Sequence, residues 1–180
     1  MIIYRDIVSD DEFVSDAYPM REVGDVAYEI DCQTITIKEG ADVDIGANPS
    51  AEEAQESLEE GTIQVNNVIH AFRLQETTFD KKSYMTYLKG YMKKLEAHLE
   101  KNPDFNMTEW KEKIKNFTKE KIVTKIDDYQ FYTGESFNQD GMIALLNYRE
   151  DGVTPYITLF KHGLREEKVV VTILVSGELQ

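Results

Sequence analysis

The stretch "SYMTYLKGYMKKLEAHLEKNPDFNMTEWKEKIKNF", Ser83 to Phe117, decides the fold. From Tyr84 onward the apolar positions Met85, Leu88, Met92, Leu95 and Leu99 step by three and four, which is the stripe of an amphipathic helix. Asp80 stands where an N-cap belongs. "KNPDFN" predicts that this helix stops at the residue before Pro103, and Asn106 with Glu109 forms a capping box ahead of Trp110, Ile114, Phe117 and Val123. Two helices with so short a connection make an antiparallel hairpin, here over residues 80–126.

On both sides of the hairpin the period falls to two. Met1–Val8, Val26–Ile30 and Thr34–Lys38 before it, and "YQFYT", "MIALLNY" and "PYITLFK" after it, are short segments rich in β-branched and aromatic residues. "VNNVIHAFRLQET", Val65 to Thr77, also alternates and is expected to be a strand, with Val68, His70, Phe72 and Leu74 on one face. "REDG", Arg149 to Gly152, is a turn between the last two strands. Ser9–Asp25 is expected to be a long loop or a single helical turn starting at Ser9, with Glu12 closing its capping box. Strands in runs with a helical insertion make an α+β protein whose sheet is mostly antiparallel or mixed.

At 180 residues and 41% hydrophobic content the chain can bury one core, and one domain is expected. The net charge of −14 argues against a general nucleic-acid binder, whose affinity comes from Lys and Arg on phosphates. That charge is uneven. Residues 81–125 carry twelve Lys and six acids, a balance of +6, which leaves −20 for the rest of the chain. Lys89/Lys93 and Lys111/Lys115 are like charges four residues apart, with Lys94 beside them; such pairs cost helix stability and invite an acidic partner. Between Ala41 and Asn66 there is no Lys or Arg but seven acids, Asp42, Asp44, Glu52, Glu53, Glu56, Glu59 and Glu60, and the Glu52–Glu60 stretch has only one large apolar residue, Leu58. That composition predicts a mobile acidic loop over residues 41–66.

Chemistry has little local support. His70, His98 and His162 lack ligand spacing, "GESFN" misses the final Gly of a nucleophile elbow, and no phosphate loop is present. Asp42, Asp44, Asn48 and Glu53 approach EF-hand spacing, but Ala47 stands where the turn needs Gly. At most a weak calcium site built from surface carboxylates is expected, with no other cofactor. Ser50 and Ser57 each have Glu three residues on, a pattern shared by helix caps and by substrates of acid-directed kinases. The lone Cys32 excludes an intrachain disulfide. No secretory leader is visible, and "VVVTILV" at Val169–Val175 is too short to span a bilayer, so the expected address is the cytoplasm, without membrane insertion.

"IGANPSAEEAQ" (Ile45–Gln55) and "FYTGESFNQDGMIALLNY" (Phe131–Tyr148) closely resemble the two signatures of the translationally controlled tumour protein family, and "MIIYRDIVSDDE" resembles its N-terminus. With "LQETTFDKKSY" and "YREDGVTPYITLFKHGLREEK" the resemblance covers nearly all of residues 1–168. It implies a twisted, tent-like sheet, a protruding helical hairpin and a flexible acidic loop. It also implies a non-enzymatic cytosolic protein that binds calcium weakly, associates with microtubules, contacts translation elongation factors and small GTPases, and promotes growth. The fold is similar to that of methionine sulfoxide reductases, which need cysteines this chain lacks.

The resemblance makes Asp10, Asp11 and Glu12 the candidates for a small-GTPase contact, Glu12 matching the acid of the family's N-terminal motif. The alternative reading places tubulin's acidic tails on Lys89, Lys93, Lys94, Lys111 and Lys115. Family chains commonly end near Lys168, often with a Cys, so residues 169–180 are an extension of unclear origin; without a terminal Cys the chain is expected to be a monomer.

Overall fold

The computed structural model describes residues 1–38 and 61–170. The strands are β1 (Ile2–Asp6), β2 (Glu12–Ser15), β3 (Met20–Val23), β4 (Ala27–Asp31), β5 (Thr34–Lys38), β6 (Thr62–Asn66), β7 (Gln75–Thr77), β8 (Gln130–Thr133), β9 (Ala144–Tyr148), β10 (Pro155–Phe160) and β11 (Leu164–Lys168). The α-helices are α1 (Asn67–Ala71), α2 (Lys81–Leu99) and α3 (Met107–Phe117). A π-helical turn, Thr118–Ile122, and a 3-10 segment, Val123–Asp128, continue α3 toward the sheet.

Among the described residues the strands form three sheets, ordered β11-β1-β2, β3-β4-β10-β9-β8-β7 and β5-β6, with every pair antiparallel. The α+β architecture is as expected, but its strands divide among separate sheets. The hairpin leaves the six-stranded sheet after β7 and returns as the neighbouring β8, so it is an insertion between adjacent strands. All six residues of β10 are buried, as its place inside the sheet requires. One apolar cluster runs from Tyr4 through the hairpin to Phe160.

Local chemistry explains the helix ends. The Asp80 side chain accepts from the Ser83 backbone N–H at 2.7 Å while the Ser83 hydroxyl accepts from the Asp80 N–H at 3.0 Å, a reciprocal cap. Asn106 accepts from the Glu109 N–H at 3.1 Å. α2 ends at Leu99, short of Asn102, because Lys101 and Asn102 turn back onto the carbonyls of His98 and Leu99. The buried face of α2 is Tyr84, Leu88, Tyr91 and Leu95, whereas Met85 is exposed. Counting only aliphatic side chains therefore turned the expected stripe slightly away from the true one.

Three further expectations change. Ser9–Asp25 contains β2 and β3 and no helical turn. The Ser9 hydroxyl donates to Asp6 at 2.7 Å and accepts from the Asp11 N–H at 3.2 Å, and the Glu12 carboxylate reaches Arg5 at 2.9 Å, so the proposed Ser9–Glu12 cap does not form. The alternating run Val65–Thr77 is interrupted by α1: the Asn66 side chain accepts from the N–H groups of Val68 and Ile69 at 3.0 and 3.1 Å, and only Val68 of that helix is buried. Finally, Thr62–Asn66 of the expected loop is a strand paired in register with β5. The remainder of that loop, with the acidic run Asp42–Glu60, lies outside the described residues, as do residues 171–180; Val169 is tied to Met1 by a backbone bond of 2.8 Å. Among the described residues no helix is long and apolar enough to cross a membrane.

Candidate functional site

The hairpin sequence sets both faces of its helices. Residues Trp110, Ile114 and Phe117 of α3 repeat at helical spacing and turn into the core, so the residues between them project beside α2. The result is a groove of about 210 Å³ between the helices, with Met92, Trp110 and Ile114 along it and Lys89, Lys93, Lys111 and Lys115 at its rim. The two like-charge pairs of the sequence thus face each other across one cleft. Among the described residues a single acid lines it: Glu96 holds Lys111 at 2.6 Å. Lys94 is elsewhere, donating to the Asp140 carbonyl at 3.2 Å.

Beneath α3, the Trp110 and Phe105 rings pack edge-on against His162 at centroid distances of 5.9 and 5.5 Å. Among the described residues the buried Trp110 Nε1 and His162 Nδ1 atoms find no hydrogen-bond partner. Lys113 reaches Asp25 at 2.8 Å and pins α3 to the β3–β4 turn, which holds the Asp25 carboxyl below its usual range. Burial and the nearby Lys161 push the His162 pKa below 6.5, against the opposing pull of Glu22 and Asp25. A base with a depressed folded pKa binds its proton more readily once unfolded, so the contribution of His162 to stability is present above pH 6.5 and is lost as pH drops below it toward the folded pKa. Chemical denaturation from pH 7 to about pH 5 is expected to show this loss in the native chain and a shallower one in His162→Phe.

Asp10, Asp11 and Glu12 all hold internal partners. Asp10, in a left-handed conformation at φ 64°, meets Arg165 at 2.5 Å. Asp11 accepts from the Ser136 hydroxyl at 2.6 Å, and the Gly134 of "GESFN" packs so closely on Asp11 that a Cβ there would collide with it. Glu12 pairs with Arg5, which also pairs with Glu167. This corner is organised from beneath by Asp6, a fully buried carboxylate that the sequence reading passed over. The available signal was a charge on the same strand face as Tyr4, where an apolar residue was due.

His70 is exposed on α1, not on a strand, and lines a wider depression of about 500 Å³ with Ile69, Arg73 and Leu74. Cys32 is buried, and burial pushes its thiol up to about 11, which keeps it protonated and unreactive. Among the described residues no group of three His, Cys, Asp or Glu side chains converges to hold a metal ion. Ser50, Ser57 and the EF-hand-like spacing Asp42–Glu53 lie outside the described residues.

The sequence profile described as "Translationally controlled tumour protein" matches residues 1–165. The chain belongs to the translationally controlled tumour protein family. Similar curated members are the translationally-controlled tumor protein homologs of Schizosaccharomyces pombe, 54% identical over 93% of this chain and 99% of its own, and of Debaryomyces hansenii, 56% identical over 94% and 100%. Among solved structures, the translationally controlled tumor-associated protein of Schizosaccharomyces pombe superposes with a TM-score of 0.78 at 53% identity, covering 94% of this chain and 100% of the other. The Caenorhabditis elegans translationally-controlled tumor protein reaches 0.63 at 29% identity, covering 95% and 100%. For this translationally controlled tumour protein family member, the matched span takes in the groove, the Asp6 corner and the aromatic seat of α3.

Proposed function

We propose that this chain is a non-enzymatic cytoplasmic interaction protein that docks acidic segments of its partners on the lysine-rimmed groove between α2 and α3, with the acidic tails of tubulin in microtubules as a partner of that chemistry. The observation that carries the reading is the convergence of Lys89, Lys93, Lys111 and Lys115 on one cleft opposed, among the described residues, by Glu96 alone. Among the described residues Lys89, Lys93 and Lys115 have no ion-pair partner, so their charge is available to a ligand. A field of this sign on an acidic body also orients the chain during encounter.

Co-sedimentation with microtubules across a salt series tests it. Single exposed ion pairs are worth little, but changing all four lysines to Gln together is expected to weaken binding about tenfold or more. Binding in the native chain should fall as salt rises, and Lys94→Gln should leave it unchanged. Salt-independent binding, or an unaltered affinity in the fourfold variant, overturns the assignment.

A second reading links the chain to growth and translation through a small GTPase or a translation elongation factor at the Asp10–Glu12 corner. It is favoured by the left-handed turn that fixes Asp10 at the rim, with its side chain 70% exposed even while paired to Arg165. Asp10→Asn, which keeps a residue that tolerates the left-handed conformation, should then weaken GTPase binding by more than its change in stability accounts for. A loss of binding that merely follows a loss of stability counts against this contact.

A further inference from the structure

The groove is more than a cluster of charges, because its floor is apolar. Met92 and Ile114 sit between the lysines, and the ring of Trp110 closes the bottom at 4% exposure. A floor of this kind offers nothing to a carboxylate and leaves apolar surface against water when only charge is bound. Its volume of about 210 Å³ accommodates one aromatic or large aliphatic side chain, since an apolar cavity of roughly 150 Å³ holds a benzene ring. The rim is four to one in favour of positive charge, so residues flanking that side chain must be acidic. Glu96 already supplies a carboxylate to Lys111, in the position that an arriving glutamate would take.

We infer that the groove selects an acidic peptide segment bearing one large apolar anchor between its carboxylates, the anchor seating over Met92, Trp110 and Ile114, and that Glu96 is a resident competitor for Lys111 that an incoming carboxylate displaces. This deepens the docking reading proposed above and rests on it. The anchor supplies affinity that salt does not screen, while the lysines supply orientation and sign. Removing the Glu96 charge frees Lys111 and takes away the one repulsive group that the described residues place in the cleft, so the competitor lowers affinity for every acidic ligand.

Trp110 is the only tryptophan of the chain, so the full-length protein carries its own reporter in the floor of the groove. Three synthetic peptides serve as probes: glutamates flanking a central Phe, the same with Ala for Phe, and the Phe peptide with Gln for every Glu. Affinity is read by anisotropy of a labelled peptide and by Trp110 emission. The Glu/Phe peptide is expected to bind about tenfold more tightly than the Glu/Ala peptide and to shift Trp110 emission. The Gln/Phe peptide is expected to bind weakly. Met92→Gln should erase the Phe-over-Ala preference while sparing Glu/Ala binding, and Glu96→Gln should tighten both acidic peptides about threefold at low salt.

Equal affinity for the Glu/Phe and Glu/Ala peptides, both lost in the fourfold lysine variant, overturns the anchor and leaves the docking reading standing. Failure of both acidic peptides to bind overturns the two together. Unchanged affinities in Glu96→Gln overturn the competitor role.

Discussion

Asp6→Ala is expected to destabilise the protein by about 4 kcal/mol, because two buried donors, on Tyr91 and Met142, and three half-buried ones would lose their acceptor, and each buried orphan costs roughly 1–3 kcal/mol. The carboxylate accepts from the N–H groups of Val8, Ser9 and Met142 at 3.2, 3.0 and 2.8 Å, and from the hydroxyls of Ser9 and Tyr91 at 2.7 and 3.0 Å. Tyr91 and Met142 are each 1% exposed, so solvent does not reach those donors to replace the lost bonds. Against a total stability of about 5–15 kcal/mol, such a loss leaves a marginal fold. Urea denaturation measures it. Tyr91→Phe removes one donor and should cost on the order of 1 kcal/mol. The double variant should cost less than the sum of the two, since both singles break the same bond. A loss below about 1 kcal/mol in Asp6→Ala would mean that the pocket rehydrates and that Asp6 does not organise the corner.

Gly163→Ala is expected to cost about 3 kcal/mol, the sum of overpacking and of a damaged charge-assisted hydrogen bond. A methyl group there collides with the Tyr91 hydroxyl and stands 2.7 Å from Met142 Cε. Tyr91 has no easy retreat: its hydroxyl is bonded to Asp6 and its ring stacks on Tyr87 at 5.8 Å. Gly163 cannot move aside either, because its carbonyl accepts from the Ile7 N–H at 2.9 Å. The sign of the coupling tests the cause. In a Tyr91→Phe background the colliding oxygen is gone, and the same methyl should cost clearly less by thermal or chemical denaturation. Equal cost in both backgrounds would place the strain in the backbone instead of at Tyr91.

The helical hairpin was legible because its signals are local and agree: capping residues at Asp80 and Asn106, a stripe of period 3.6, and a proline in the connection. β8, β9 and β10 were legible from their period of two, whereas β11, whose sequence "LREEK" carries no apolar alternation, was not. The failures cluster where two periods or two hydrogen-bonding choices compete. In "NNVIHAF" an alternating pattern and a helix share the same short stretch, and the Asn66 cap decides for the helix. At Ser9 the local box with Glu12 lost to two nearby partners on the preceding strand: Ser9 bonds Asp6, three residues back, and Glu12 bonds Arg5, its neighbour across the β1–β2 pair. Tyr84 and Tyr91 complete the buried face of α2 beside Leu88 and Leu95, and the Tyr91 hydroxyl ends on a buried carboxylate 85 residues away.

The site divides in the same manner. The like-charge pairs Lys89/Lys93 and Lys111/Lys115 follow from spacing on a helix, and so does the expectation of an acidic partner. That the two pairs share one cleft, with Lys94 outside it, depends on the rotation of α2 against α3, which the burial of Tyr84, Tyr91, Trp110 and Ile114 sets. By itself, the amino-acid sequence determined the helical hairpin, the core strands on either side of it, the charge on the hairpin and the family, because propensity, caps and motifs act within a few residues. Only the tertiary structure decided that Glu96 guards Lys111, that an apolar floor lies between the lysines, and that Asp6 ties the N-terminus to α2. Those contacts join residues distant in the chain, and they exist only after the core has brought their elements together.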